Sequence, residues 1–216
     1  MRVATLYDVH GNIRALEAVL REIPDDATIV VGGDVAAGPF PQESVDRLRA
    51  LGERVRWLRG NADRELLEGE QGLAPPELIA WVRSRLDPDT IDWLGRLPPT
   101  LVCDHVLYCH ATPRNDVDIF TERTPEERIA FLFEDVDADT IVCGHTHMQF
   151  DRTIAGKHVV NSGSVGMAYD EPRGAYWTLD LEPRHTPYDL ELGDYPFEWP
   201  SLSREEAVAL FESRAV

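Results

Sequence analysis

Short apolar runs, each closed by a polar turn, set the rhythm of the first half of the chain. RVATLY ends in DVHGN, TIVV in GGDVAAGPF and RVRWL in RGNAD. Each run has the length of a buried strand, and helical patterns lie between them. In NIRALEAVLREIP the apolar residues Ile13, Leu16, Val19, Leu20 and Ile23 recur at spacings of three and four, Asn12 stands at the N-cap and Pro24 closes the element. PQESVDRLRALG repeats the pattern. Residues 64–98 also read as helical, broken by Pro75, Pro76, Pro88 and Pro98, with Trp81 and Trp93 on apolar faces. That segment is either a cap beside a pocket or a cover for a sheet.

From residue 99 strands dominate. TLVCD and HVLYCH read as a hairpin, and TPEERIAFLFE as a helix with Thr124 at the N-cap and Pro125 at its first position. TIVC is a buried strand. QFDRTIA, KHVVNS and GAYWTLDL follow as strands, the first two forming a hairpin around Ala155-Gly156, and LSREEAVALFES closes the chain as an amphipathic helix. The chain shows neither an internal repeat nor a low-complexity linker. Strand–helix units followed by hairpins predict an α/β (α+β) fold of two packed sheets with helices outside, because central parallel strands must be covered on both faces.

The length of 216 residues suits one domain over 1–216. No apolar run approaches the ~18–20 residues of a membrane span, and MRVATLYDVH lacks a leader pattern, so a cytoplasmic protein with no membrane partner is expected. Cys103, Cys109 and Cys143 lie in strand-like runs without paired spacing and read as reduced core thiols. A net charge of −18 repels polyanions, which argues against bulk nucleic acid as a partner. A small anion can still bind where a metal supplies positive charge.

Candidate chemistry gathers at the strand ends. Asp8 and His10, then Asp34, Asn61 and His110, and finally His145 and His147 in GHTH each follow a short apolar run. Carboxylate, imidazole and amide oxygen hold first-row divalent ions, and in open α/β folds the functional crevice lies at the carboxyl ends of the strands. The two histidines of GHTH, at i and i+2 of an extended segment, are expected to point the same way. Seven such groups from five strand ends suffice for two metals if one aspartate bridges.

In this ordered set, DxH, GD, GN, H and GHTH, the chain resembles the calcineurin-like metallophosphoesterases from Asp8 to about Asp180. VVNSGSVGMA after GHTH is similar to the compact bacterial and archaeal phosphodiesterases of that superfamily. The resemblance implies a four-layer αββα sandwich. It also implies one metal held by Asp8, His10, Asp34 and His147, and a second held by Asp34, Asn61, His110 and His145, with Asp34 as the bridge. Such a pair shares a hydroxide, aims it in line at phosphorus and clamps the other oxygens. Manganese is the first ion expected, with iron, cobalt, nickel, zinc or magnesium also suited to these donors. The implied substrate is a small phosphoester or nucleotide.

One position departs from the family. Where its members commonly carry Gly-Asn-His-Asp or Gly-Asn-His-Glu, this chain has Gly60, Asn61, Ala62 and Asp63, so the histidine that assists the leaving group is missing. General acid help is worth ~10²–10⁴ in rate, which points to activated diesters or anhydrides rather than alkyl monoesters. Asp63, Arg64 and His185 are candidate substitutes, and Arg152 and Arg173 are either phosphate ligands near the site or surface salt bridges. His105 and His158 read as structural. Tyr195, Phe197 and Trp199 read as packing for the last helix rather than a stacking platform, and Ser162–Ser164 as a tight turn. A catalytically weak scaffold of the same fold is the rival function. A phosphoprotein phosphatase is a second rival, disfavoured by the acidic surface.

Overall fold

Strands β1 (Val3–Leu6), β2 (Thr28–Val31) and β3 (Val55–Trp57) run parallel, with β9 (Ala175–Leu179) antiparallel against β1 and β10 (Glu182–Thr186) beyond it. They make one five-stranded sheet. The second has β5 (Val106–Cys109), β6 (Thr140–Cys143) and β8 (Lys157–Ser162) parallel at its centre, with β4 (Thr100–Cys103) and β7 (Gln149–Ile154) at its edges. This computed structural model describes residues 1–69 and 74–216. Of the expected 64–98 helical segment, residues 70–73 lie outside the described part.

The period-two alternation of the strands divides the molecule into layers. Ala4, Leu6, Ile29 and Val31 turn outward to α1 (Ile13–Leu20) and α2 (Pro41–Arg49) through Leu16, Val19, Val45 and Leu48. α3 (Asn61–Glu68), α4 (Pro76–Arg83) and α5 (Pro88–Gly95) join the same core. Val3, Tyr7 and Val30 turn inward to meet Tyr108, Val142 and Val160 of the second sheet. Ile141, Cys143 and Val159 face outward again, to Phe120, Phe133 and Ile129 of α6 (Glu126–Ile129). The order is helix, sheet, sheet, helix, as the resemblance implies. Both faces of the central strands are buried, which is why their sequences read as unbroken apolar runs.

Polar ties cross the sheet–sheet seam. The Tyr7 hydroxyl donates to the Val142 carbonyl at 3.0 Å and Thr5 Oγ1 lies 2.8 Å from Ser162 Oγ, while Thr178 Oγ1, 2.6 Å from Thr5 Oγ1, belongs to the neighbouring strand of the same sheet. Asn12 caps α1 as expected, its Oδ1 accepting from the Ala15 N–H at 3.1 Å. All three cysteines are free thiols. Among the described residues, no helix is long and apolar enough to cross a membrane.

Two local expectations change. The 124–134 helix shortens to α6 followed by a 3₁₀ turn over Ala130–Leu132, and Thr124 Oγ1 accepts from the Thr121 N–H instead of capping it. The last strand stops at Leu179, where Asp180 and Leu181 turn at φ 54° and 67° into β10. β10 is a polar edge strand, EPRHT, with no apolar pattern to betray it. The closing helix is α7 (Arg204–Glu212), capped by Ser203 with Glu206 returning to the Ser203 N–H.

Tyr7→Phe is expected to lower the unfolding free energy by about 1 kcal/mol, the usual net contribution of one such bond. Urea unfolding measures it; an unchanged midpoint would show that the seam does not depend on this hydroxyl.

Candidate metal centre

Five parallel strands deliver the site. β1 exits into Asp8 and His10, β2 into Asp34, β3 into Asn61, β5 into His110 and β6 into His145 and His147. All of these residues are buried, none exposing more than 8% of its surface. Five of them also have left-handed backbones: Asp8 (φ 53°), His10 (47°), Asp34 (54°), His145 (70°) and His147 (58°). Outside glycine this conformation is uncommon and costs energy, so the surrounding fold must hold it. Among the described residues, the other left-handed non-glycine positions are Asp104, His105, Ala155, Asp180 and Leu181, all in hairpin turns.

The side chains meet in two overlapping groups. Asp8 Oδ1 lies 3.3 Å from His147 Nε2 and 3.7 Å from His10 Nε2, and the two ring nitrogens are 3.1 Å apart. Asp34 Oδ2 is 3.4 Å from His110 Nε2, which stands 3.1 Å from Asn61 Oδ1 and 3.2 Å from His145 Nδ1. Asp34 Oδ2 also lies 4.0 Å from His10 Nε2, so one oxygen reaches both groups. The two histidines of GHTH do not share a target. With both backbones left-handed, the extended alternation expected of them fails, and they turn to different groups.

Backbone carbonyls fix which nitrogen each ring presents. His10 Nδ1 pairs with Ala37 O at 3.0 Å, His110 Nδ1 with Gly32 O at 2.9 Å and His147 Nδ1 with Met167 O at 3.0 Å. A carbonyl only accepts, so each Nδ1 carries a proton and each ring turns its Nε2 inward, where it offers a lone pair whenever the ring is neutral. Two such lone pairs at 3.1 Å, those of His10 and His147, repel unless a positive charge lies between them. Asp8 Oδ1 is buried with no hydrogen-bond partner among the described residues. These groups fit a divalent cation, whose charge would satisfy both.

The electrostatics agree in sign. Burial pushes the Asp34 carboxyl up, but His110 and His10 overcome it and hold the group well below the usual carboxylate range. Asp8 is likewise lowered against burial, through His147 and His110. Burial alone would lower His110, yet Asp34 and Asp8 raise it to about 10. Burial and the neighbouring His110 lower His145 to about 4. Two buried carboxylates thus hold a proton on one imidazole, in the position where a cation fits.

A family model of the calcineurin-like phosphoesterase superfamily domain matches residues 1–184. The chain belongs to the calcineurin-like phosphoesterase superfamily. It therefore falls among metal-dependent phosphoester hydrolases. Similar proteins include an uncharacterized protein of Methanocaldococcus jannaschii, 26% identical over 201 residues covering 78% of this chain and 77% of that one. A symmetrical bis(5'-nucleosyl)-tetraphosphatase of Janthinobacterium is 32% identical over 119 residues, which cover 51% of this chain and 43% of that enzyme's length. A solved metallophosphoesterase from Sphaerobacter thermophilus shares the fold, with a TM-score of 0.71 and 24% identity over 88% of this chain and 90% of the other.

This phosphoesterase supports its ligand-type residues through contacts that strand-end reading misses. Asn61 Nδ2 donates to Glu65 Oε1 at 3.0 Å, which turns the amide oxygen toward His110. Asn161 Nδ2 donates to Gly144 O at 2.8 Å and Thr146 Oγ1 at 3.1 Å, holding the GHTH turn. Ser164 Oγ donates to Asp8 O at 2.7 Å, so the Ser162–Ser164 turn braces the site from behind. The Tyr169 ring stacks on His147, centroids 5.6 Å apart and planes 15° from parallel.

The proposed substitutes for the missing histidine lie elsewhere. Asp63 accepts from the Asp34 N–H at 2.8 Å, the Gly60 N–H at 3.0 Å and the Val35 N–H at 3.2 Å. Burial and Asp34 push its carboxyl up to about 7, but those three donors occupy both oxygens and leave Asp63 a structural cap. Arg64 is bound bidentately by Asp116 at 2.8 and 3.0 Å, and His185 pairs with Arg173 O at 3.3 Å. Arg152 makes no ion pair among the described residues, and its Nη1 donates to the carbonyls of Thr121, Glu122 and Thr124. Arg173 pairs with Glu171 at 3.2 Å and donates to Ser201 O and Leu202 O. His105 lies in a hairpin turn, and His158 pairs with Asp151 on the adjacent strand at 2.8 Å. Tyr195 and Phe197 pack against Trp81 of α4, and they line the cleft over the metal-type residues together with Leu210 and Phe211 of the last helix.

Gly60 sits where a Cβ would come within 2.1 Å of Asp34 Oδ1. Gly60→Ala is therefore expected to displace Asp34 and weaken manganese affinity by about 10–100-fold, read by chelator competition. Wild-type affinity in that variant would show that Asp34 is not held against Gly60.

Proposed function

We propose that the chain is a dinuclear phosphoesterase acting on small phosphodiesters or nucleotide anhydrides. Asp8, His10, Asp34 and His147 hold one divalent ion, Asp34, Asn61, His110 and His145 hold the other, and manganese is the ion first expected. The observation that carries this reading is the reach of Asp34 Oδ2 to His110 Nε2 at 3.4 Å and to His10 Nε2 at 4.0 Å, the placement a bridging ligand needs. Bound divalent ions supply Lewis acidity and a nucleophilic hydroxide at neutral pH.

The protein's own part is orientation. Carbonyl ties present the Nε2 lone pairs, Glu65 turns the Asn61 oxygen, and the Ala62 N–H donates to Asp34 Oδ1 at 2.8 Å, leaving Oδ2 for the shared position. Ala62 lines the cleft and offers no proton donor, so leaving groups of low pKa are favoured. The similarity to a symmetrical tetraphosphatase supports nucleotide anhydrides among these. The described part of the 64–98 segment, residues 64–69 and 74–98, is proposed as a cap, since Ala74, Pro75 and Leu78 line the cleft.

Asp34→Asn is expected to lose most bound manganese and most hydrolysis of bis-p-nitrophenyl phosphate. Full activity in that variant would refute the bridging assignment. Ala62→His is expected to raise turnover of an alkyl phosphodiester by about 10²-fold, with little effect on the aryl diester. Metal bound without turnover of any phosphoester would favour the scaffold alternative instead.

A further inference from the structure

Above the metal-type residues opens a cleft of about 380 Å³, the size of a small-molecule pocket. Its floor is polar and its walls are mainly apolar. Pro75 and Leu78 line it together with Tyr195, Phe197, Leu210 and Phe211. Those last four lie beyond residue 184, where the family match ends. This chain's own C-terminal segment therefore supplies the wall that a substrate meets.

The wall is held in place. Trp81 stands edge-on to Tyr195 at 5.3 Å and to Phe197 at 6.4 Å, and the latter two rings are 5.4 Å apart. Asp194 pairs with Arg85 at 2.6 Å, and that guanidinium lies 4.7 Å over the Trp81 ring. From the other end, Arg173 donates to the Ser201 and Leu202 carbonyls. Tyr195 and Phe197 are nonetheless only half-buried, so part of each ring is open to solvent. Fixed, partly open aromatic rings gain most from a flat partner, and every nucleobase has such a face.

Two charged residues finish the description. Arg214 is exposed, lines the same cleft and has no ion-pair partner among the described residues. Glu198 lines the cleft too, an acceptor for hydroxyl or amine donors that a bare polyphosphate lacks. We propose that this wall is a nucleoside subsite, with the reacting phosphate on the polar floor, the base against Tyr195 and Phe197, and a second phosphate at Arg214. The subsite presupposes the metal-dependent hydrolysis proposed above.

The manganese-loaded full chain is assayed on ATP, on tripolyphosphate and on bis-p-nitrophenyl phosphate. ATP is expected to exceed tripolyphosphate in kcat/KM by about 10–100-fold, the range of one stacked base. Phe197→Leu, which keeps apolar volume and loses the ring, is expected to collapse that ratio at least several-fold, mainly through KM. Arg214→Gln is expected to raise KM more for ATP and tripolyphosphate than for the single-phosphate diester. Equal rates for ATP and tripolyphosphate, or a ratio indifferent to Phe197→Leu, would overturn the subsite while the hydrolase stands. Should all three compounds resist hydrolysis, the hydrolase reading fails. Calorimetric titration with AMP against ribose 5-phosphate then still decides the subsite, a preference for AMP supporting it and equal affinity ending it.

Discussion

Everything in the site depends on a shortage of positive charge at one point. The carboxylates of Asp8 and Asp34 and the inward nitrogens of His10, His110, His145 and His147 converge in a buried pocket where lone pairs face lone pairs. Such groups are stable in low dielectric only when paired or bound to a metal. Within the protein the nearest approach to a remedy is the proton that Asp34 and Asp8 keep on His110, whose pKa rises to about 10. One proton cannot satisfy two overlapping groups. A cation in each can, and the chain's net charge of −18 makes the surroundings more favourable to cations still.

That arrangement is imposed from outside the pocket. Interlocked turns place the ligand-type residues: the His10 N–H donates to Asp34 O at 2.9 Å, the Gly144 N–H to His110 O at 2.8 Å and the Gly166 N–H to Asp8 O at 3.0 Å. Each bond links the end of one strand to the end of another, so a left-handed residue in one turn is held by the backbone of its neighbour. Gly144 shows how tight the assembly is, because a Cβ there would lie 2.6 Å from Asp8 Oδ2. The cost of the strained backbones is spread over two sheets, and the Tyr7 hydroxyl and the Thr5 pair tie those sheets together.

The convergence of these residues was legible in the sequence because chemistry and position coincide: Asp8, Asp34, Asn61 and the histidines each follow an apolar run whose strand character is plain. The layers were legible for the same reason, since Ile29, Val30 and Val31 need apolar partners on both faces. Less visible was anything set by long-range contact. The turn at Asp180 and Leu181 lacks the Asn-Gly or Asp-Gly pair that marks a tight hairpin, and EPRHT lacks an apolar face, so β10 was hidden. Glu65 and Asn161 read as ordinary polar residues of a helix and a strand until Asn61 and Gly144 are seen beside them. The opposite turns of His145 and His147 follow from backbone signs that residue types permit but do not announce.

The C-terminal segment gives the missing histidine a different meaning. An imidazole at position 62 would project from the start of α3 into the cleft that Ala62 now lines. Alanine leaves that part of the wall small and apolar, continuous in character with Leu78 and Phe197. Leaving groups that need a proton are disfavoured there, whereas phosphate and aryloxide depart as stable anions and carry charge or rings that Arg214 and the aromatic wall can meet. On the proposed reading, alanine at position 62 and the aromatic wall would select the same class of substrate, one by what it does not do for the leaving group and the other by what it binds.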